Sequence, residues 1–433
     1  MKHSVVPALM SKVFSHPAAL LINLSLVLYP STVLFVPKLN GLIFGLILLS
    51  GIVLLVRQRE AFFKVNYNEK AFYLSIGFFF FTALFITLNA GFVYKAIGKY
   101  THLLFAIPVY IYLRHIGIKL TFLWMGLVFG SIITSAIAFY DIFALGLSRA
   151  RGLTHPIVFG DLSLVMGCMA IAGLGWFRRK GSWYTVLPVI ALLCAIIASV
   201  LSQSRGAWVA VPFIGLVFFW YTKSFFSLRL KISLASIFIL LISLVYIVPQ
   251  TGVSYQVDRT LDNLESYSNS EIRSNMRATS VGTRLEMWQA SWKMFLDNPL
   301  LGVGWGHYLE QAQRQVDQGL RNKSAAYFDH PHSQYFTALA SGGILGFVAT
   351  LAVFLVPAFL FVRYIKNEKS ADVCSLSLAG LVLIVAYMIF GLTEPLLDRS
   401  RSVNFFAFYL VVFMSAINGQ LNLGAFRGEK RAS

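Results

Sequence analysis

Asp329-His330-Pro331-His332-Ser333-Gln334-Tyr335 closes a long polar stretch, 250–332, and opens an apolar run that continues to residue 362. That run decides the fold. Roughly 17–25 apolar residues in an α-helix cross a hydrocarbon core of roughly 30 Å, and 333–362 is long enough. Working outward, further apolar runs lie at 18–36, 39–56, 71–88, 98–113, 118–147, 156–177, 184–202, 206–222, 230–249, 373–393 and 403–419. The runs 71–88 and 98–113 have room to extend toward each other, and 118–147 overruns a bilayer at its end. The chain is 57% hydrophobic and 12% charged, with a mean hydropathy of +0.71. A soluble chain would carry about twice that charge. With about twelve runs near spanning length, the sequence reads as an all-α polytopic membrane protein.

The formal net charge of +18 is not a nucleic-acid signature, because the basic residues fall in short tufts between apolar runs. With the N-terminus inside, 20 of the 36 lysines and arginines lie on inner connections, from Lys2 and Lys12 to Arg427, Lys430 and Arg431. Every inner connection is then basic, so both termini are expected in the cytoplasm. The first run, behind Lys2 and Lys12, lacks a small-residue cleavage site and reads as a retained helix rather than a signal peptide. Cys168, Cys194 and Cys374 all lie inside apolar runs, which implies neither a disulfide framework nor a Cys/His metal finger.

The chain divides into membrane helices over 1–249, an extracytoplasmic loop domain over 250–332, and membrane helices with a cytoplasmic tail over 333–433. In the loop, 283–296 has apolar residues at 285, 288, 292 and 295, with Thr283 as the expected N-cap and Asn298-Pro299 as the stop. A second helix is expected near 307–318. The Ser/Asn/Arg-rich stretch 262–282 reads as a mobile loop.

Charges near membrane depth are expensive and suggest function. Here they collect on the outer side: Asp141, Arg149, Arg151, His155, Asp161, Arg205, Glu394, Asp398, Arg399 and Arg401, with His330 and His332 at the mouth of 333–362. Arg149, Arg151, Arg399 and Arg401 also fit simple anchoring at lipid headgroups. Asp141 and Asp161 fit structural pairing with those arginines. Arg205 is harder to read as an anchor. It occupies a tight outer turn, Ser202-Gln203-Ser204-Arg205-Gly206, whose small neighbours admit a bulky phosphate. Arginine suits phosphate because its planar fork gives paired, charge-assisted hydrogen bonds and stays protonated. His332 is the candidate general base. The helix that follows favours its neutral ring, and an unperturbed pKa near ~6.5 lets it accept a hydroxyl proton. A helix-capping histidine remains open, as does a metal site of His330 and His332 with Asp329 or His307, though no complete ligand set stands at a recognisable spacing.

These residues resemble the O-antigen ligase and O-antigen polymerase superfamily. Its ligase pattern is His, then Asn, Ser or Gln, nine residues, Gly-x-x-Gly, then Thr or Val. Here His332-Ser333 is followed by 334–342 and Gly343-Ile344-Leu345-Gly346, with Phe347 as a departure that bears on helix packing. The register selects His332 over His330. Ser204-Arg205-Gly206 is similar to the family's Ser-Arg-Gly turn. Gly282-Thr283-Arg284, Trp288 and Asn298-Pro299-Leu300-Leu301-Gly302-Val303-Gly304-Trp305-Gly306 are similar to its periplasmic arginine helix and glycine-rich turn. Arg149-Ala150-Arg151-Gly152-Leu153-Thr154-His155-Pro156 resembles a weaker outer-loop element. These matches run from 149 to 347.

The resemblance implies a GT-C-like multi-pass glycosyltransferase of the bacterial inner membrane with a periplasmic active site. It implies an undecaprenyl-diphosphate-linked glycan as donor, membrane lipids as surroundings, and no nucleotide sugar, cofactor, metal or nucleic acid. The acceptor ranked first is a hydroxyl of lipid A-core. A polymerase or protein O-oligosaccharyltransferase of the same superfamily is the alternative, and a lipid-linked glycan transporter is the alternative of another class. Transporters bind near the midplane, often in inverted repeats, and neither midplane acids nor a repeat is visible. In this reading His332 is catalytic and Arg205 and Arg284 bind the diphosphate. Arg149, Arg151, His155, His330, Arg399 and Arg401 are further substrate contacts.

Overall fold

The computed structural model describes residues 17–36, 38–58, 66–221 and 280–432, with the isolated residues 60, 229 and 236; of 423–432 it describes the backbone only. The expected span at 230–249 and most of the stretch 262–282 lie outside these residues. Every regular element among the described residues is helical, and there is no strand.

The chain enters α1 (Pro17–Thr32), α2 (Leu39–Arg57), α3 (Tyr67–Ala90), α4 (Tyr94–Ile116) and α5 (Leu120–Phe139), the last ending in a π turn, Tyr140–Ala144. It continues through α6 (Pro156–Ala172), α7 (Leu174–Lys180), α8 (Val186–Leu201) and α9 (Arg205–Tyr221). After the undescribed part come α10 (Ser280–Asp297), α11 (Tyr308–Asp317), α12 (Gln334–Asn367), α13 (Ala371–Phe390) and α14 (Ser400–Ala432). Among the described residues, eight stretches are long and apolar enough to cross a membrane. The pair α6–α7, bent by 48°, would make a ninth, and α1 and α9 are shorter apolar helices.

The caps follow from sequence. Asn66 and Glu69 form a reciprocal capping box at the start of α3. His155 accepts from the Ile157 amide just before Pro156 opens α6. Ser333 and Ser370 cap α12 and α13. Burial sorts the bundle. The apolar window of α14 is 94% buried and that of α13 78%, against 28% for α2. Lipid-facing and central helices are both apolar, so it is burial that places α13 and α14 at the centre. α14 packs on α4 and α13, and α13 also packs on α6, α9 and α12.

At about 1.5 Å per residue, α12 is too long for one straight span, and it breaks at Gly343 (φ 58°, ψ −157°). The turn 299–304 enters the break. Ile344 N donates to Pro299 O (2.8 Å), Val303 N to Ala340 O (2.8 Å) and Gly304 N to Ser341 O (3.0 Å). Non-helical backbone beside a membrane is tolerated where protein satisfies it, and these bonds do so. A Cβ on Gly343 would stand 2.4 Å from the Leu300 carbonyl carbon, and one on Gly302 2.5 Å from Ala340 O. Both glycines have positive φ. The two glycine-rich motifs of the sequence are therefore the two halves of one joint. It fastens the α10–α11 unit to the membrane part.

Two expectations are corrected. α10 starts at Ser280, so Thr283 lies inside it and 280–282 are helix rather than loop. Its deeply buried apolar face is Met287, Ala290 and Met294, which forms a small second core with Tyr308, Ala312, Ala325 and Ala340. Of the apolar positions that marked the helix, 285, 288 and 295 are half-buried and Trp292 is 48% exposed. The helix carries two apolar stripes, and the water-based pattern rule picked the one that lies outside this core. α11 forms where expected, and Asn298-Pro299 ends α10.

Candidate active site

The polar residues at one end of the bundle are gathered by three loops and α10. Residues 391–399 connect α13 to α14 and are stitched to the start of α12. Gln334 N donates to Gly391 O (2.7 Å), Leu397 N to Gln334 Oε1 (2.9 Å), and Tyr335 Oη to Met388 O (2.7 Å). This fixes Glu394 beneath His332. Glu394 is fully buried, with His332 Nδ1 at 2.7 Å from its Oε2 and Arg399 Nε donating to its Oε1 at 2.8 Å. Burial alone would raise its carboxyl. The His332 hydrogen bond and the Arg399 charge overcome that and hold it at about 2. Glu394 is thus ionised at neutral pH and can only accept. Nδ1 of His332 must carry the proton, and Nε2 is the lone-pair nitrogen whenever the ring is neutral.

His332 lies just outside the α12 cap, in the left-handed region (φ 50°), a conformation that persists only where neighbours enforce it. His330 does so: its Nδ1 accepts the His332 amide at 3.1 Å, and the two rings meet edge-on at 4.5 Å. Arg399 Nη2 stands 2.9 Å from the other His330 nitrogen. A neutral imidazole has one acceptor nitrogen, so with Nδ1 accepting the amide the hydrogen sits on Nε2, and the Arg399 guanidinium lies beside that edge as a neighbouring charge rather than as a donor to it. Burial first, then Arg399 and His332, pull the His330 pKa down to about 4.

α10 latches onto this segment. Trp288 Nε1 donates to Pro331 O (2.9 Å), and its ring stacks on Phe336 with centroids at 5.2 Å. Arg284 is one turn earlier on the same face. Burial lowers its pKa, Glu394 offsets this in part and Arg205 lowers it further, so Arg284 is within electrostatic reach of Glu394 and Arg205. Arg205 opens α9. The next residue, Gly206, lies where a Cβ would stand 2.4 Å from Thr393 Oγ1, which seats Arg205 beside Thr393-Glu394. Among the described residues, neither the Arg205 nor the Arg284 guanidinium has a hydrogen-bond or ion-pair partner; the Arg205 amide donates to Gln203 O (3.2 Å).

The remaining sequence candidates separate. His155 belongs to the cluster electrostatically: burial lowers its pKa, while Glu394, Arg399, Arg149 and His332 all act on it. Arg149 instead holds backbone, donating to Ser202 O (2.9 Å) and Gln203 O (3.3 Å). Arg401 donates to Leu153 O at 2.8 Å. Arg151 is exposed. The expected pairing of Asp141 and Asp161 with arginine side chains is not what forms. Asp141 accepts the amides of Arg151 and Gly152 (2.8 and 2.7 Å), and Asp161 accepts from Ser204 Oγ (2.6 Å). Short loops bring backbone amides to Asp141, and a side-chain hydroxyl to Asp161, nearer than the guanidinium ends.

His330, His332 and Glu394 offer three donor atoms within 4.8 Å, a spacing that could hold an ion. Arg399, 2.7 Å from Glu394 Oε1 and 2.9 Å from His330 Nε2, already supplies fixed positive charge there. His307 is committed elsewhere, to Gly91 O at 2.9 Å. An open apolar groove of about 810 Å³, lined by Tyr73, Phe81 and Phe85 among others, shares no residue with this cluster.

A family model described as O-Antigen ligase matches residues 190–351. These residues form an O-antigen ligase domain. It contains Arg205, Arg284, His330 and His332 and stops before Glu394. The chain is 27% identical over 400 residues to an uncharacterized protein of Haemophilus influenzae, covering 91% of this chain and 97% of that one. It is 25% identical over 224 residues to the ComP-specific O-oligosaccharyltransferase of Acinetobacter baylyi, covering 51% of this chain and 36% of that relative. With the apolar helices, the ligase domain makes this a polytopic membrane protein and an enzyme of glycosyltransferase type, with a ligase-type glycan transfer.

Proposed function

We propose that this protein is an O-antigen ligase, transferring a glycan from undecaprenyl diphosphate to a hydroxyl of lipid A-core on the periplasmic face of the inner membrane. Both termini are cytoplasmic in this reading, and residues 280–332 of the loop pack on the membrane part. What supports it is the oriented base, His332 on Glu394, together with two guanidinium groups, Arg205 and Arg284, that have no partner among the described residues.

His332 Nε2 takes the proton of the acceptor hydroxyl as its oxygen bonds to the anomeric carbon. The bond from that carbon to the diphosphate oxygen breaks, and undecaprenyl diphosphate leaves with the electron pair. Arg205 and Arg284 bind that diphosphate as its charge grows. Glu394 keeps the Nδ1 proton in place and stabilises the imidazolium, while Arg399 and His330 position the pair. No metal is required.

A second reading, a protein O-oligosaccharyltransferase, is favoured by the likeness to the Acinetobacter baylyi enzyme. The two share donor and chemistry and differ in acceptor. Purified protein in detergent, given one lipid-diphosphate-linked glycan and either lipid A-core, a second lipid-linked repeat or a Ser/Thr peptide, tests the assignment. Transfer to lipid A-core is expected. Transfer to peptide alone would replace the first reading with the second, and no transfer to any acceptor would remove both.

A further inference from the structure

Asp161 takes no part in the chemistry above, yet it lies within the first two turns of α6 and is 1% exposed. Its Oδ1 accepts the Ser204 hydroxyl at 2.6 Å, and Ser204 immediately precedes Arg205. Its Oδ2 is buried without a hydrogen-bond partner among the described residues, and no cation pairs with it there. We propose that Asp161 is a positioning residue for the donor: through Ser204 it fixes the turn that aims Arg205 at the leaving diphosphate. The proposal rests on the assignment of Arg205 to that diphosphate.

The turn needs outside support. Gln203 has φ 55°, which a non-glycine residue holds only under constraint. Most supports act before Arg205. Arg149 holds the Ser202 and Gln203 carbonyls, Ala150 N donates to Leu201 O, and Gln203 Nε2 donates to Ser148 O. The Asp161 bond acts on the adjoining residue, inside a site where water does not compete and a hydrogen bond is correspondingly stiff. Gly160 makes the contact possible. A Cβ there would stand 2.1 Å from Ser202 Oγ and 2.5 Å from Ser204 Cβ, so the turn rests directly on the α6 backbone with Asp161 beside it. The unpartnered Oδ2 also argues against a general structural clasp, in which both oxygens would be engaged.

Steady-state transfer in detergent, with donor and acceptor titrated separately, tests this. Asp161→Leu and Ser204→Ala should each raise the donor KM by about tenfold, the scale of one lost hydrogen bond near a charge, and leave the acceptor KM unchanged. Asp161→Asn keeps an oxygen that accepts from Ser204 and should restore most of the donor affinity. In an Arg205→Ala background, Asp161→Leu should add nothing, because it acts through that side chain. A loss that multiplies on Arg205→Ala, or an acceptor KM that rises in parallel, would overturn the proposal. Should Asp161→Leu fail to fold, Ser204→Ala alone and with Arg205→Ala carries the same comparison. An unchanged donor KM in Arg205→Ala would remove the diphosphate assignment itself. A normal donor KM in Asp161→Leu beside an impaired Arg205→Ala would remove only the role of Asp161.

Discussion

His332 Nδ1 stands 2.7 Å from Glu394 Oε2, between residues 62 positions apart in the chain. The carboxylate is buried and held ionised by the His332 hydrogen bond and the Arg399 charge. It therefore does for His332 what an orienting acid does for any histidine base: it selects the tautomer and steadies the charged form.

Glu394→Gln tests that relationship. An amide keeps one oxygen and turns an NH2 toward a donor, either Arg399 or His332 Nδ1–H. We expect kcat to fall by at least about tenfold, with donor KM little changed. A variant with wild-type kcat would remove Glu394 from the account.

Arg205→Lys and Arg284→Lys keep a positive charge but lose the planar fork. If both arginines bind the diphosphate bidentately, each variant should lose about 1–3 kcal/mol of transition-state binding in kcat/KM. If they only anchor the protein to headgroups, lysine should serve as well, and full activity in both would show it.

Chelation addresses the cluster of His330, His332 and Glu394. Arg399 occupies its positive-charge position, so transfer should survive removal of divalent ions. Activity lost to chelator and regained with a divalent cation would assign an ion to that cluster instead.

Gly343→Ala tests the joint between α12 and the 299–304 turn. The residue has φ 58° and its Cβ would meet the Leu300 carbonyl carbon at 2.4 Å. We expect thermal unfolding in detergent to show a loss of at least about 1–3 kcal/mol. An unshifted transition would mean that the turn docks without need of the break.

Much of this was legible from particular residues. The apolar runs announced the helices, because nothing but a helix satisfies its own backbone in lipid. His332, Arg205 and Arg284 stood out because each places a polar group at the edge of an apolar run or within a glycine-marked motif. Glu394 did not. An acid ending the run 373–393 looks like any headgroup-facing charge, and its partner lies on another helix. The buried face of α10, Met287, Ala290 and Met294, was not legible because the apolar stripe at 285, 288, 292 and 295 is half-buried, with Trp288 stacked on Phe336 and Trp292 left exposed. The joint at Gly343 was visible as two motifs, while their docking is a tertiary fact that spacing cannot express.

The central claim is that His332 is the base of a glycan transfer. The most direct measurement is the transfer rate of His332→Ala beside wild type, with purified protein, saturating donor and acceptor, and thermal unfolding as a check on folding. The account predicts a loss of about 10²–10⁴ in kcat with the unfolding transition retained, and a smaller loss for His330→Ala. Near-wild-type turnover in a folded His332→Ala protein would contradict it.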